Sequence, residues 1–308
     1  MTKSFKDLKA RLDAAPKKKV SVAVAQDSEV LLAVKGAKEQ NIADAILVGD
    51  ADKIKAIADE IGMSLEGYEI IDVKDPIEAA REAVKQVHDG KADMYMKGLI
   101  DTKDFLRSVL DKEVGLRTGK PLSHVCVFEM EGYDKLLFLT DVAFIPYPTL
   151  EDKVSMIKNT VEIVNACGIE NPKVAPLAAV EVVNPKMPAT VEAAELTKMN
   201  EAGEITGCIV DGPLSFDLAT CPEAAQHKGA TGRKIVGDAD VVLFPDIHAG
   251  NITYKALVHY AKVKNGNLIT GTAAPVILTS RSDSYEVKMN SLALGAVVAE
   301  AMKQNVAE

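Results

Sequence analysis

Residues 20–50 read VSVAVAQDSEVLLAVKGAKEQNIADAILVGD, and this stretch decides the fold class. Val20–Ala25 is a short apolar run rich in valine. A stretch with helical spacing follows from about Ser28 to Gln40, and a second apolar run stands at Ala45–Val48. Short apolar runs separated by a helix read as parallel strands covered on both faces. The same alternation extends outward. A helix is expected near Asp52–Ile61, a strand at Tyr68–Ile71, and a helix in PIEAAREAVKQVHDG, with Pro76 near its first turn and Gly90 past its end. Met94–Met96 is the next buried strand, and Lys103–Leu110 begins another helix.

After Arg117 the rhythm changes. Ser123–Met130 and Lys135–Thr140 are strand-like and separated by a short EGYD segment, which reads as an antiparallel hairpin. Alternation then resumes. Helices are expected at Leu150–Cys167, Thr190–Asn200, Ile252–Val263 and Ser284–Met302. Strands are expected at Val174–Ala179, Cys208–Val210, Val241–Phe244 and Leu268–Thr270. The pattern predicts an α/β protein. The one boundary it suggests lies at about residues 140–150, which hold the turn IPYPT.

The chain has 308 residues, a formal net charge of −9, 47% apolar residues and no tryptophan. That composition is globular and excludes a disordered chain. The acidic balance argues against nucleic acid as a partner, so any anionic ligand is held by a few local cations and backbone amides. No apolar run is long enough to span a membrane, and the charged start MTKSFKDLKARLD lacks a signal peptide's apolar core. Cys126, Cys167, Cys208 and Cys221 have no CxxC spacing and read as free thiols of a cytoplasmic protein. His88, His124, His227, His248 and His259 show no metal-ligand spacing, so no metal is expected. GxSxG, GxGxxG and Walker spacings are absent.

In such sheets ligands sit beyond the carboxyl ends of strands, and small polar residues gather there. Lys97 and Gly98 follow a buried strand, and a lysine there offers a point charge to a phosphate. Ser280 and Arg281 precede the last helix, where amides and a guanidinium fork can hold an anion; a capping serine beside a surface arginine reads equally from spacing. Asp283 or Ser284 is the expected N-cap of that helix, with Glu286 in its first turn. Gly250 permits close backbone approach at a strand-to-helix turn, and Asn251 either caps that helix or binds a ligand oxygen.

Longer blocks carry a resemblance. They are MKGLIDT (Met96–Thr102), GLRTG, LSHVCVFE, AVEVVNPKMPAT (Ala179–Thr190), CIVDGPLSFD (Cys208–Asp217), EAAQHKG, GDADVVLFPDIHAGNITYKAL and PVILTSRSDSYEVKMNSLALGA. Together, from about Val20 to Ala299, they resemble the phosphate acetyl/butyryl transferase family. The NPKMPAT and TSRSDS stretches look like its butyryl branch.

The resemblance implies an isocitrate- and isopropylmalate-dehydrogenase-like fold, with two α/β domains and a cleft between them. One domain would hold residues 1–140 and 277–308, the other residues 141–276. It implies acyl-CoA and phosphate as substrates, butyryl-CoA preferred, giving acyl phosphate and CoA with no cofactor. It also implies a homo-oligomer and a functional link to an acyl-phosphate kinase. A thioester is already activated and phosphate is a competent nucleophile, so direct attack in a ternary complex suffices. By the same resemblance Ser280 assists the sulfur and Arg281 binds phosphate. Lys97, Thr102, Arg117, Gly250 and Asn251 are carried over as substrate contacts, Arg117 reading equally as a structural ion pair. Relatives place an aspartate base six residues after the arginine, where this chain has Val287. Glu286 is the substitute expected, with Asp283 the other acid nearby. A phosphate acetyltransferase with a smaller acyl pocket is the nearest rival, and a dehydrogenase on the same fold a more distant one.

Overall fold

The structure, a computed structural model, describes residues 2–13, 15–230, 232–280 and 283–307, with side chains to residue 304. The chain divides into two compact units. A frame unit holds residues 5–120 and 266–308, and an insert unit holds residues 1–4 and 121–265.

The frame unit opens with α1 (Phe5–Ala10), β1 (Lys18–Ala23), α2 (Ser28–Glu39), β2 (Ala43–Gly49) and α3 (Ala51–Glu60). It continues with β3 (Glu69–Asp72), α4 (Pro76–His88), β4 (Met94–Lys97) and α5 (Thr102–Val109). The strands pair in parallel in the order β3-β2-β1-β4, with Val20 opposite both Ala45 and Met94. β1, β2 and β4 are almost wholly buried, which is why their sequences are near-continuous apolar runs. Aspartates begin the intervening helices. The carboxylates of Asp27, Asp50 and Asp75 accept N–H bonds of α2, α3 and α4, each contributing about 1 kcal/mol.

The insert unit runs β5 (Ser123–Met130), β6 (Leu137–Thr140), α6 (Leu150–Ala166), β7 (Lys173–Pro176), α7 (Pro188–Glu201) and β8 (Ile209–Val210). Then come α8 (Phe216–Thr220), α9 (Pro222–His227), β9 (Val241–Leu243) and α10 (Ile247–Tyr260). The expected hairpin is present, β5 against β6 with Cys126 opposite Leu139. β6, β9, β7 and β8 continue it in parallel. Cys126, Phe128, Leu139, Val242 and Phe244 lie in its core.

The chain returns through β10 (Val263–Thr270), β11 (Val276–Ile277) and α11 (Tyr285–Ala307). In the frame unit β11 lies parallel to β4 and antiparallel to β10. No described helix is long and apolar enough to cross a membrane.

Several sequence expectations shift. The chain passes between the units at 4/5, 120/121 and 265/266, where 140/141 and 276/277 were expected; the hairpin falls in the insert unit because β6 pairs with β9. α10 begins five residues earlier than expected, because Asp246 caps it through the N–H groups of His248 and Ala249. Gly250 and Asn251 therefore lie inside the helix. β10 starts earlier than Leu268, and the strand before the Ser280 loop is only the two residues of β11.

Candidate functional site

β1, β4 and β11 run parallel, so their carboxyl ends share one edge of the frame unit's sheet. The loops there are tightly joined. Gly98 donates its N–H to the Ala23 carbonyl at 2.9 Å, and Leu99 to the Val24 carbonyl at 2.8 Å. A Cβ on Gly98 would lie 2.4 Å from Val24 O and 2.5 Å from Ala23 O, so only glycine fits. Val24 has φ of 55°, a strained value for a β-branched residue and of the kind that collects at functional sites. Gln26 is buried beside it, and its Oε1 has no hydrogen-bond partner among the described residues. Lys97 ends β4 with 5% exposure, its ammonium 3.4 Å from the Gly98 carbonyl.

The loop after β11 closes as a turn. Asp283 N–H donates to the Ser280 carbonyl at 3.1 Å, and Ser280 N–H donates to Asp283 Oδ2 at 2.7 Å. Ser280 itself is exposed. The buried Lys288, 2% exposed, donates from its ammonium to the Asp283 main-chain carbonyl. Burial pushes the Asp283 carboxyl above the usual carboxylate range, opposed by the Ser280 N–H and by the charges of Lys288 and Lys97. Ser284, not Asp283, caps α11, taking Val287 N–H on its hydroxyl at 3.4 Å and Lys288 N–H on its carbonyl at 3.1 Å.

The structure thus links Lys97, Ser280, Asp283 and Lys288. Arg281 lies outside the described residues. Glu286 is exposed on the first turn of α11, and Thr102 is exposed at the first turn of α5. Arg117 is exposed and makes no ion pair among the described residues. Its backbone bridges to Thr272, and the Thr118 hydroxyl donates to the Gly271 carbonyl at 2.6 Å. Lys288 escaped the sequence reading, because its position on an apolar helix face carries no motif.

In the insert unit β6 and β9 end side by side. Asp141, just past β6, is buried and accepts N–H bonds from His124 (3.1 Å), Ala143 (2.7 Å) and Phe144 (2.9 Å). Gly250 packs on it, since a Cβ there would stand 2.3 Å from Asp141 O. The Asn251 side-chain amide donates to the Val142 carbonyl at 2.9 Å. Asn251 is therefore no cap; it ties α10 to the loop after β6. His124 is buried, its Nδ1 without a partner among the described residues; burial pushes its pKa down, and the Asp141 charge opposes this. The sequence reading passed over His124 and Asp141, though polar residues at the ends of two apolar runs were the available signal.

A family model described as "Phosphate acetyl/butaryl transferase" matches residues 4–82 and 73–296. The chain belongs to this family. Among family relatives, the phosphate butyryltransferase of Clostridium beijerinckii is 58% identical over 299 residues, covering 97% of this chain and 99% of that protein. The phosphate acetyltransferase of Thermotoga maritima is 46% identical, covering 92% and 95%. The crystal structure of a branched-chain phosphotransacylase from Enterococcus faecalis V583 matches with a TM-score of 0.81 at 35% identity, covering 92% of this chain and 99% of that one. The α/β fold with mixed sheets is therefore that of a transacylase family member.

Proposed function

We propose that this protein transfers a short-chain acyl group, butyryl preferred, between CoA and inorganic phosphate: butyryl-CoA plus phosphate gives butyryl phosphate plus CoA. The observation carrying this reading is the near full-length likeness to a named phosphate butyryltransferase. Phosphate oxygen attacks the thioester carbonyl directly, and the thiolate leaves. Holding the two anionic substrates together supplies up to roughly 7–11 kcal/mol of the barrier. Hydrogen-bond donors and cations aimed at the developing charge supply more.

In this reading Ser280 assists the sulfur and Arg281 holds phosphate. Lys97 lends a buried positive charge at the same sheet edge, with Thr102 and Arg117 as further substrate contacts. Gly250 and Asn251 are carried as substrate contacts too, on the helix that packs on the Asp141 loop. A carboxylate of the segment 283–286, Glu286 in the sequence reading, exchanges the thiol proton. CoA and phosphate are substrates, and no cofactor is invoked. The proposal extends to a cytoplasmic homo-oligomer whose product feeds an acyl-phosphate kinase. It also extends to an isocitrate- and isopropylmalate-dehydrogenase-like fold class, supported by a chain that leaves one α/β unit, builds another and returns.

The test is release of free thiol from butyryl-CoA. Phosphate-dependent release is expected, and none in a folded protein overturns the proposal. A phosphate acetyltransferase is the second reading, favoured by the Thermotoga maritima relative; a series from acetyl- to valeryl-CoA separates the two.

A further inference from the structure

The loop after β1 carries a buried side chain that the roles assigned above leave unused. Gln26 is 8% exposed, and its Oε1 accepts no hydrogen bond among the described residues. A buried polar atom without a partner costs stability, so the fold keeps this amide against a penalty. The backbone around it is shaped to hold it there. Val24 takes φ of 55°, and Ala25 then donates its N–H to the Val48 carbonyl at 3.0 Å, which draws the loop toward the end of β2. Gly49 lies against the amide there; a Cβ on it would stand 2.2 Å from Gln26 Oε1. The terminal torsion of glutamine is broad and roughly two-fold, so its oxygen and nitrogen exchange places readily. The partner that suits it in either orientation offers both a donor and an acceptor, as another amide does.

Charge and distance narrow the choice. Asp27 and Asp50, the caps of α2 and α3, stand beside Gln26 and Gly49 in the chain, and Lys53 is paired with Asp50 at 3.1 Å. Two carboxylates disfavour a phosphate group there and leave room for a neutral one. β2, β1, β4 and β11 are successive neighbours in the sheet. Strands lie ~4.7–4.9 Å apart, so Gln26 stands roughly 9–14 Å along the edge from β11, the strand that leads into Ser280. In CoA the inner amide of the pantetheine arm begins about three bonds from the sulfur and the outer amide about seven, roughly 8 Å at the reach of an extended chain. The Gln26 side chain and its hydrogen bond cover the remainder. The inner amide falls short of this distance, and the adenine lies beyond the anionic pyrophosphate.

We propose that Gln26 binds the outer amide of CoA's pantetheine arm, the one joining the β-alanine and pantoate units, and so fixes how the thioester lies along the frame unit's edge. The assignment rests on the acyl-transfer reading and deepens it. Gln26 exchanges hydrogen bonds with the arm, and no covalent bond to it forms or breaks.

The experiment compares the wild-type protein with Gln26→Leu on three thioesters at saturating phosphate: butyryl-CoA, butyryl-pantetheine, and S-butyryl-N-acetylcysteamine, which keeps the inner amide and lacks the outer one. Thiol release gives kcat/KM. Gln26→Leu should lose about tenfold with butyryl-CoA and butyryl-pantetheine, the scale of one hydrogen bond to a buried amide, and stay within about twofold with the shortest thioester. Phosphate KM should not move. Calorimetric titration with free CoA and with pantetheine should show the same weakening, about tenfold in Kd, independently of turnover. Without CoA, Gln26→Leu should melt no lower than wild type, because it removes an unpartnered polar atom; a purely structural glutamine would melt lower and lose equally on all three thioesters. Gln26→Met, nearer in length, carries the same test should the leucine variant fail to fold. Three results each overturn the assignment: an equal loss on all three thioesters, a loss confined to CoA, which moves the contact to the nucleotide end, or a folded variant with wild-type rates and affinities. Wild-type protein inert toward butyryl-CoA and phosphate would instead remove the acyl-transfer reading, and the titration would still judge Gln26, so the two failures are distinguishable.

Discussion

Replacing Gly98 by alanine tests whether the contact between the loops after β1 and β4 is what holds Lys97. The added methyl would stand 2.4 Å from the Val24 carbonyl oxygen and 2.5 Å from that of Ala23. Both contacts are with backbone, so no side-chain rotation relieves them. Relief requires the loops to part, stretching the bonds Gly98 N–H to Ala23 O and Leu99 N–H to Val24 O. Each such bond contributes about 0.5–1.5 kcal/mol, and overpacking strain adds about 1–3 kcal/mol, so the expected cost is about 2–6 kcal/mol. In a unit of this size that lowers the melting midpoint by at least about 4 °C. Because Lys97 is the preceding residue, kcat/KM for acyl transfer should fall at least about tenfold; misplacements near 1 Å cost up to about a hundredfold. Circular dichroism melts and the thiol-release assay measure the two effects. Gly90→Ala is the control. Gly90 has φ of 72° and nothing within 4 Å, so alanine there costs about 1–2 kcal/mol of backbone strain and leaves the kinetics unchanged. A Gly98→Ala enzyme that melts and turns over like wild type would refute the reasoning.

Arg281→Lys keeps the charge and loses the guanidinium fork. Phosphate KM should rise, with about 1.5–3 kcal/mol lost from kcat/KM and little change in acyl-CoA KM. Acetyl-CoA should be used with a kcat/KM roughly tenfold to twentyfold below that of butyryl-CoA, from about 0.8 kcal/mol for each of two buried methylenes; equal rates would favour the acetyl branch. The Lys18 ammonium, 3% exposed, pairs with Glu300 and holds its carboxyl below the usual 4.5. The pair's contribution is therefore full at neutral pH and is lost as pH falls through that lowered value. Glu300→Gln should cost up to about 3–5 kcal/mol in urea unfolding at pH 7, with the gap to wild type closing in acid.

The strands were legible where burial on both faces writes a continuous apolar run, as in β1, β2, β4 and β5. β11 was legible only as a strand end before Ser280, not as a span, because two residues in PVILT carry no period and owe their conformation to pairing with β4. α10 was placed late, because its N-cap is an aspartate inside PDIHAGN and the following His-Ala-Gly gives no apolar stripe. Within the candidate site, Lys97 and the Ser280 turn were readable as polar residues at strand ends. The Lys288–Asp283 bond was not, since a lysine five residues into a helical pattern reads as solvated until tertiary packing buries it. The capping alternative for Asn251 failed for the opposite reason. Its side chain spends its amide on a carbonyl 109 residues away, a long-range partner no local pattern encodes.

The chain's excursion through the insert unit has a consequence for how the protein is made. The apolar strand β4 is finished by residue 97, yet its neighbour β11 is not synthesised until residue 277. For that interval the frame unit offers an unpaired edge of MYMK, wholly buried in the finished fold, to any other strand in the cell. The insert unit's main segment is continuous and can fold meanwhile. A truncation or ribosomal stall after about residue 270 should therefore yield an aggregating chain rather than a weakened enzyme, and the last forty residues act as a strand-delivering clasp that retires the edge.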